Sequence, residues 1–129
     1  LIDGAVQAGA QKFILVSSIG SGNSVAAIPP QALATLKDVL AEKEQAENYL
    51  AASGLTYTVI RPGGLKSEPA TGNGLLTADP RIAGTIHRAD VAQLICRCLN
   101  SPKANNQILS AVDRQMLYAA TEFEEFSLH

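Results

Sequence analysis

Apolar residues recur along this chain in two patterns, the wider spacing of amphipathic helices and the short continuous runs of buried strands. The opening stretch predicts a helix whose apolar face is formed by Ile2, Ala5, Val6 and Ala10. Gly9 is placed to end that helix. Residues 13–16 are all apolar, which predicts a strand buried on both faces. The chain thus starts with a helix that leads into a strand.

A second helix and strand follow. The helix is predicted over about residues 31–52, with Gly54 ending it, and the β-branched and aromatic run at residues 57–60 predicts a buried strand. The next segment, to about Thr85, is rich in Gly, Pro, Thr and Asn, and we interpret it as a loop.

The pattern repeats a third time. Apolar positions of a third helix fall at Val91, Leu94, Ile95, Cys98 and Leu99. Residues 100–102 end this helix, and a last strand is predicted at residues 108–112. Helices that alternate with strands indicate βαβ crossovers, so the sequence predicts an α/β fold with a parallel sheet.

Composition narrows the class of protein. The 129 residues include 10 Lys+Arg and 12 Asp+Glu, and this near-neutral balance argues against a nucleic-acid partner. The 2 cysteines are too few for a disulfide framework, so we expect a reducing compartment and a cytoplasmic protein. No apolar run reaches the roughly 18 residues of a membrane span. Because the chain begins inside a helix and without Met, we expect an N-terminal part to lie outside it.

Two charged residues lie on the apolar face of the long helix. That face is formed by Leu36, Val39, Leu40, Ala46 and Leu50, and helical geometry puts Lys43 and Glu47 in its middle. Burying such charges is costly unless they are satisfied. Two interpretations stay open: Lys43 pairs with Glu47 while its stem covers apolar surface, or Lys43 reaches the floor of a ligand site.

The ligand site of an open α/β sheet lies at the carboxyl ends of its strands. The loop after the first strand contains Ser17 and Ser18, and the loop after the second contains Pro62, Gly63 and Gly64. Glycines there let backbone groups approach a ligand closely. These two loops are the candidate site.

Four segments in this order resemble a known family. They are residues 13–18 (FILVSS), the helix with Lys43 and Glu47, residues 53–65 (SGLTYTVIRPGGL) and residues 86–92 (IHRADVA). Together they resemble an atypical short-chain dehydrogenase/reductase of the NmrA-like NAD(P)-binding family. The resemblance covers residues 1–113, with residues 114–129 as a C-terminal tail. It implies the C-terminal portion of a doubly wound Rossmann-type domain, with three strands and their helices, and NADP or NAD as cofactor.

The Gly-rich pyrophosphate loop of such a domain would belong to the absent N-terminal half. Gly20-x-Gly22 is followed by Val25 where the fingerprint needs a third glycine, and Gly72-x-Gly74 has no predicted strand before it. We interpret both segments as ordinary flexible loops.

The resemblance also implies roles for particular residues. Ser18 matches the serine that polarises a substrate carbonyl, and Lys43 matches the lysine that binds the nicotinamide ribose and assists catalysis. The cofactor-binding set it implies is Ser17, Lys43, Pro62, Gly63, Gly64 and Leu65. Val39 stands where the family has its proton-donating tyrosine, so nothing at that position can protonate an alkoxide.

Two functions therefore remain. The first is an NAD(P)-dependent oxidoreductase without the tyrosine, which reduces a small quinone- or flavin-like acceptor that can take its proton from water. The second is a non-catalytic NADP(H)-binding sensor or interaction protein. The expected partners are the dinucleotide and a small-molecule acceptor, and the sequence leaves oligomerisation open.

Other polar residues give weaker signals. Cys96 and Cys98 lie about 200° apart on their helix, and His87 and His129 have no ligand cluster near them, so no metal site is expected. Cys98 is expected in the core. His87 is expected to cap the third helix, whereas a hydrolase built on Ser17 or Ser18 with His87 lacks the GxSxG motif.

Overall fold

The computed structural model describes residues 1–118 and 122–128, in which helices and strands alternate as the sequence predicts. The elements are α1 Ile2–Gln7, β1 Phe13–Val16, α2 Pro30–Ala51, β2 Tyr57–Pro62, β3 Gly64–Lys66, β4 Gly74–Thr77, β5 Thr85–His87, α3 Arg88–Leu99 and β6 Gln107–Asp113. Short 3₁₀ turns occupy Gly22–Ala27 and Pro102–Ala104. Gly54, which has a positive φ of 85°, follows α2 as expected for a residue that ends a helix.

The main sheet has the strand order β1-β2-β6-β4. The first three strands are parallel, with Val16 beside Ile60 and Ile60 beside Leu109. This confirms the predicted α/β fold with a parallel sheet. β4 joins the sheet antiparallel to β6, and β3 and β5 form a separate parallel pair.

The strand count is the first correction. The sequence predicts three strands and a loop as far as Thr85, but that loop contains β3, β4 and β5. These strands are only three or four residues long. Their pairing depends on partners distant in sequence, such as Asp113 opposite Gly74, rather than on a local apolar pattern.

The first strand is the second correction. The sequence predicts burial of β1 on both faces, yet Phe13, Ile14 and Leu15 are half-buried and Val16 is 43% exposed. β1 lies at the edge of the described sheet and has only β2 beside it. β2, in the middle, is buried from Thr58 to Pro62.

The core lies on both faces of the sheet. One cluster packs α3 against β2, β4, β5 and β6, and it contains Ile60, Leu76, Ile86, Val91, Leu94, Cys98, Ala104, Leu109 and Ala111. The other contains Ile19, Leu75, Ile82, Ala83 and Val112. Neighbouring residues such as Ala111 and Val112 belong to different clusters because successive side chains of a strand point to opposite faces. Cys98 is in the core, as predicted, whereas Leu99 is 51% exposed.

The long helix buries less of its apolar face than predicted. Leu40 and Leu50 are buried, but Leu36 and Val39 are 41% and 49% exposed. The main contacts of α2 are with β2 and with the turn Gly22–Ala27. No helix within the described ranges is long and apolar enough to cross a membrane.

The described part of the C-terminal segment packs on the sheet. The Phe126 amide donates to the Leu76 carbonyl at 2.7 Å, and the Thr77 hydroxyl donates to the Glu124 carbonyl at 2.8 Å. Phe123 packs against the second core cluster. The segment that the sequence assigns to a tail therefore covers part of β4.

Candidate functional site

The two candidate loops lie side by side at the carboxyl ends of β1 and β2. The Ser17 amide donates to the Ile60 carbonyl at 2.7 Å, and the Ile19 amide donates to the Pro62 carbonyl at 3.0 Å. These bonds continue the parallel ladder by which β1 pairs with β2. The first strand's loop is thereby fixed next to the Pro-Gly-Gly segment.

A buried ionic cluster lies directly behind these loops. Glu47 accepts hydrogen bonds from the hydroxyls of Ser17 and Ser21, each at 2.6 Å, and from Arg61 Nε at 3.2 Å and Nη2 at 2.7 Å. Glu47 and Arg61 are each only 4% exposed. The interpretation that Lys43 pairs with Glu47 is therefore wrong, because Arg61 is the ionic partner of Glu47.

The electrostatics of the cluster follow from these contacts. Burial alone would raise the pKa of Glu47, but hydrogen bonds from Arg61, Ser17 and Ser21, together with the charge of Arg61, hold that pKa below its ordinary value. Glu47 is thus an ionised carboxylate whose acceptors are in use. It is bound to its neighbours rather than available as a base.

The cluster also determines the conformation of the Gly20-x-Gly22 loop. A Cβ on Gly22 would lie 2.5 Å from Arg61 Nη2, so the missing side chain makes room for the guanidinium. Arg61 Nη1 donates in turn to Asn23 at 2.5 Å, and the Gly20 amide donates to the Ser24 hydroxyl at 2.9 Å. The sequence predicts an ordinary flexible loop here, whereas the structure has a hydrogen-bonded turn packed against Arg61.

Lys43 lies one helical turn before Glu47 but in a different environment. It lines a shallow groove of about 220 Å³ with Leu15, Val16, Ser17, Val39, Glu42 and Ala46. Within the described ranges no carboxylate forms an ion pair with Lys43, although the residue is half-buried. Val39, the residue at the family's tyrosine position, lines the same groove and presents only methyl groups.

The two serines differ in how far they are engaged. Ser17 is buried, and its hydroxyl is bound to Glu47. Ser18 is half-buried, and its hydroxyl donates to the neighbouring Ile19 carbonyl at 2.9 Å. A local bond of this kind can be exchanged for one to a ligand by rotation of the side chain. Ser18 is therefore the more available donor of the two.

The four candidate residues from Pro62, the last residue of β2, to Leu65 also differ from one another. Pro62 is buried, and Leu65 is 41% exposed in β3. A Cβ on Gly63 would lie 2.2 Å from the Gly84 carbonyl oxygen, so this glycine is required by packing between two backbones. Gly64 is exposed, and a Cβ there would make only ordinary contacts, the nearest at 3.5 Å.

Sequence reasoning missed a phenol at this edge. The hydroxyl of Tyr118 lies 2.8 Å from the Thr85 hydroxyl, and a Cβ on Gly64 would lie 3.5 Å from both oxygens. Tyr118 belongs to the segment that the sequence assigns to a tail. Only the presence of a tyrosine there could have drawn attention to it, since its position depends on how residues 116–118 return to the sheet.

The residues at the start of α3 hold a neighbouring loop. His87 Nδ1 lies 2.8 Å from the Pro69 carbonyl oxygen, and Asp90 accepts from the Thr71 and Gly72 amides at 3.0 Å. His87 occupies the N-cap position of α3 but makes no side-chain cap bond, so the predicted capping role is wrong. No group of three or more His, Cys, Asp or Glu suited to a metal occurs in the part of the chain that the structure describes.

Comparison with known proteins identifies the class to which this fold and edge belong. A family model described as NAD(P)H-binding matches residues 1–102. The fold is that of an atypical short-chain dehydrogenase/reductase-like, Rossmann-type domain. The chain belongs to the NAD(P)H-binding family, and this confirms the resemblance to an atypical short-chain dehydrogenase/reductase-like family and the expected NAD(P) cofactor.

Individual relatives include reductases and an epimerase. The structure of the anaerobilin reductase ChuY from Escherichia coli O157:H7 superposes with a TM-score of 0.84, at 36% identity over 92% of this chain and 57% of that one. The uncharacterized sugar epimerase YhfK of Bacillus subtilis is 38% identical over 82% of this chain and 47% of its own length. Sanguinarine reductase of Eschscholzia californica is 34% identical over 82% and 40%, respectively. This chain therefore spans about half the length of the curated relatives it matches.

The residues present fit one end of such a dinucleotide. Ligand sites for small organic molecules typically enclose roughly 300–1,000 Å³, so the groove of about 220 Å³ beside Lys43 is large enough for only part of a dinucleotide. The ammonium group of Lys43, a half-buried residue without an ionic partner among the described residues, is suited to donate hydrogen bonds to ribose hydroxyls. The open backbone at Gly64 can approach a flat ring. The edge thus matches the nicotinamide-ribose end that the resemblance assigns to it.

Proposed function

We propose that this protein is an NAD(P)H-dependent reductase that acts on a small quinone- or flavin-like acceptor. The observation that carries the proposal is the groove in which Lys43 lies beside Ser17 and Val39, with no ionic partner in the part of the chain that the structure describes. The groove offers a cation for a ribose but no phenol at the family's tyrosine position. The names of two relatives, anaerobilin reductase and sanguinarine reductase, support reduction as the reaction class.

Each residue has a defined task in this proposal. The Lys43 ammonium holds the ribose hydroxyls, and the Gly64 backbone leaves room for the ring. Ser18 donates a hydrogen bond to the acceptor, and the Glu47–Arg61 pair keeps the serine loop in place. When bound, the reduced dinucleotide supplies a hydride. The chain's own residues bind and orient the reactants.

The acceptor class follows from the methyl groups of Val39. Reduction of a simple ketone produces an alkoxide that needs a positioned proton donor. Hydride reduction of a quinone or flavin gives an anion that is a far weaker base than an alkoxide. Such an anion can take its proton from water. An enzyme with valine at position 39 is therefore suited to conjugated acceptors rather than to simple ketones.

A panel assay tests this function. The full-length protein with NADPH is offered menadione, flavin mononucleotide, and simple aldehydes and ketones. We expect turnover of the conjugated acceptors only, and a loss on the order of tenfold to a hundredfold for Ser18→Ala, the effect of one polarising donor. Robust ketone reduction would contradict the argument from Val39.

Val39 also supports a second function. A groove that binds NAD(P)H but has no positioned proton donor suits a non-catalytic protein that senses the cofactor or binds partners in response to it. Tight NADPH binding by the full-length protein, without turnover of any acceptor in the panel, would favour this sensor over the reductase.

A further inference from the structure

Tyr118 is held in place at the edge by its backbone and by its hydroxyl. The Thr85 amide donates to the Met116 carbonyl and the Tyr118 amide donates to the Ala83 carbonyl, both at 3.1 Å. The phenol oxygen is 2.8 Å from the hydroxyl of Thr85, which is only 9% exposed. Tyr118 itself is 59% exposed. A phenol that is anchored at both ends but open to solvent is arranged to contact something outside the chain.

The two neighbouring glycines show where that contact would occur. Gly63 is a glycine because the Gly84 backbone occupies the space beside it. Gly64 has neither such a neighbour nor a positive φ, so a side chain would fit there without strain. A Cβ at Gly64 would instead lie 3.5 Å from the Tyr118 hydroxyl oxygen. What glycine leaves open at position 64 is the space beside the hydroxyls of Thr85 and Tyr118.

We infer that the space beside Gly64 is a subsite for the carbonyl-bearing ring of the acceptor, and that the Tyr118 hydroxyl donates to that carbonyl oxygen. This inference rests on the proposed reductase function and adds a hydrogen-bond donor for the acceptor, whose proton still comes from water. With a quinone, hydride brings two electrons and one proton. The second proton comes from water, and the Tyr118 hydroxyl keeps its own proton while its hydrogen bond stabilises the negative charge on the quinone oxygen.

Binding measurements test the subsite without turnover. The full-length protein is saturated with NADP⁺, which cannot reduce the acceptor, and is titrated with flavin mononucleotide while flavin fluorescence is followed. Tyr118→Phe removes one hydrogen-bonding oxygen and should weaken binding about fivefold to tenfold, as expected for one such bond. Gly64→Val fills the space and should abolish measurable binding.

Tyr49→Phe is the matched control. Its hydroxyl donates to Asp3 on the surface, and the atoms nearest a Cβ at Gly64 belong to Thr85, Tyr118 and Gly84 rather than to Tyr49. Its removal should leave flavin binding within about twofold of the parent, the spread expected for a surface change. Thermal unfolding of each variant checks that it is folded. If Gly64→Val does not fold, the comparison of Tyr118→Phe with Tyr49→Phe decides.

The outcomes separate this inference from the function on which it rests. If the parent binds flavin mononucleotide with the expected variant pattern but turns nothing over, the reductase proposal fails and the subsite stands. If the parent does not bind the probe, or if Tyr118→Phe binds it as tightly as Tyr49→Phe does, the subsite is overturned whatever the turnover. With menadione and NADPH, Tyr118→Phe should also lower kcat, whereas Tyr49→Phe should not.

Discussion

The edge formed by the ends of β1 and β2 has a closed part and an open part. In the closed part, Ser17, Ser21, Glu47 and Arg61 satisfy one another, and no buried side-chain nitrogen or oxygen among the described residues lacks a partner. In the open part, Lys43 lines a groove and has no ionic partner within residues 1–118 and 122–128. A buried charge such as that of Glu47 therefore does not by itself indicate a ligand site. Polar groups that are not bound to other groups of the protein indicate a ligand site.

Two residues of one helix show this contrast most directly. Glu47 and Lys43 are one turn apart on α2, and the same apolar face predicts both to be inward. Glu47 is 4% exposed because it reaches Arg61 on the neighbouring strand β2. Lys43 is directed to the groove beside the edge strand β1. The closed part should therefore control stability, and the open part should control ligand binding.

We expect the largest loss of stability when the ion pair of the closed part is broken. Glu47→Ala leaves the Arg61 guanidinium buried without its carboxylate, and breaking a buried ion pair from one side typically costs about 3–5 kcal/mol. We expect a fall of that size in the free energy of unfolding measured with urea. Glu44→Ala, on the exposed side of the same helix, is the control and should change it by less than about 0.5 kcal/mol. Equal losses in the two variants would contradict a structural role for the cluster.

The neighbouring glycines give the next largest effect. Gly63→Ala forces a methyl group to within 2.2 Å of the Gly84 carbonyl, and such overpacking costs about 1–3 kcal/mol. Gly64→Ala meets nothing closer than 3.5 Å and should be nearly neutral in stability. Urea unfolding of the two variants side by side measures the difference. A neutral Gly63→Ala would mean that the two backbones can separate at little cost.

The pH dependence of stability isolates the charge of Glu47. Because its pKa is lowered in the folded state, the carboxylate adds stability above its unfolded pKa, and this contribution is lost as the pH falls through the folded pKa. Each unit by which the pKa is lowered corresponds to about 1.4 kcal/mol. The difference in unfolding free energy between the parent and Glu47→Gln should thus narrow as the pH falls below 4.5, the ordinary pKa of this carboxyl. A gap that stays constant with acidification would show that Glu47 is not ionised in the fold.

The helices and long strands could be predicted because each has its own apolar pattern. β2 and α3 bury the side chains that their local spacing indicates, as Ile60 and Leu94 show. β4 could not be predicted in this way, because Leu75 and Leu76 are buried on opposite faces by β6 and the C-terminal segment. The exposure of Val16 could not be predicted from its own segment either, because it depends on which elements lie beside β1.

The candidate site was predictable to a similar extent. The proximity of the loop at Ser17 to the segment at Pro62 follows from parallel pairing of their strands, because the carboxyl ends of parallel strands meet at one edge. The partner of Glu47 does not follow, since Arg61 ends an apolar strand and gives no sign of facing α2. The position of Tyr118 depends on a single antiparallel bridge, Leu117 with Gly84, which has no signature in the sequence.

The smallest effect on stability is expected in the open part, from Lys43→Met. Lys43 has no ionic partner to lose among the residues that the structure describes, and methionine keeps most of its apolar stem. The free energy of unfolding should therefore stay within about 0.5 kcal/mol of the parent or rise. If Lys43 holds the ribose, the full-length variant should bind NADPH about tenfold more weakly by calorimetry, as loss of a charged hydrogen-bond donor predicts. Lys37→Met, an exposed position on the same helix, is the control for the change in net charge. If the variant loses stability but keeps its nucleotide affinity, Lys43 has a structural role like that of Glu47. The separation of this edge into a stabilising part and a ligand-binding part would then be wrong.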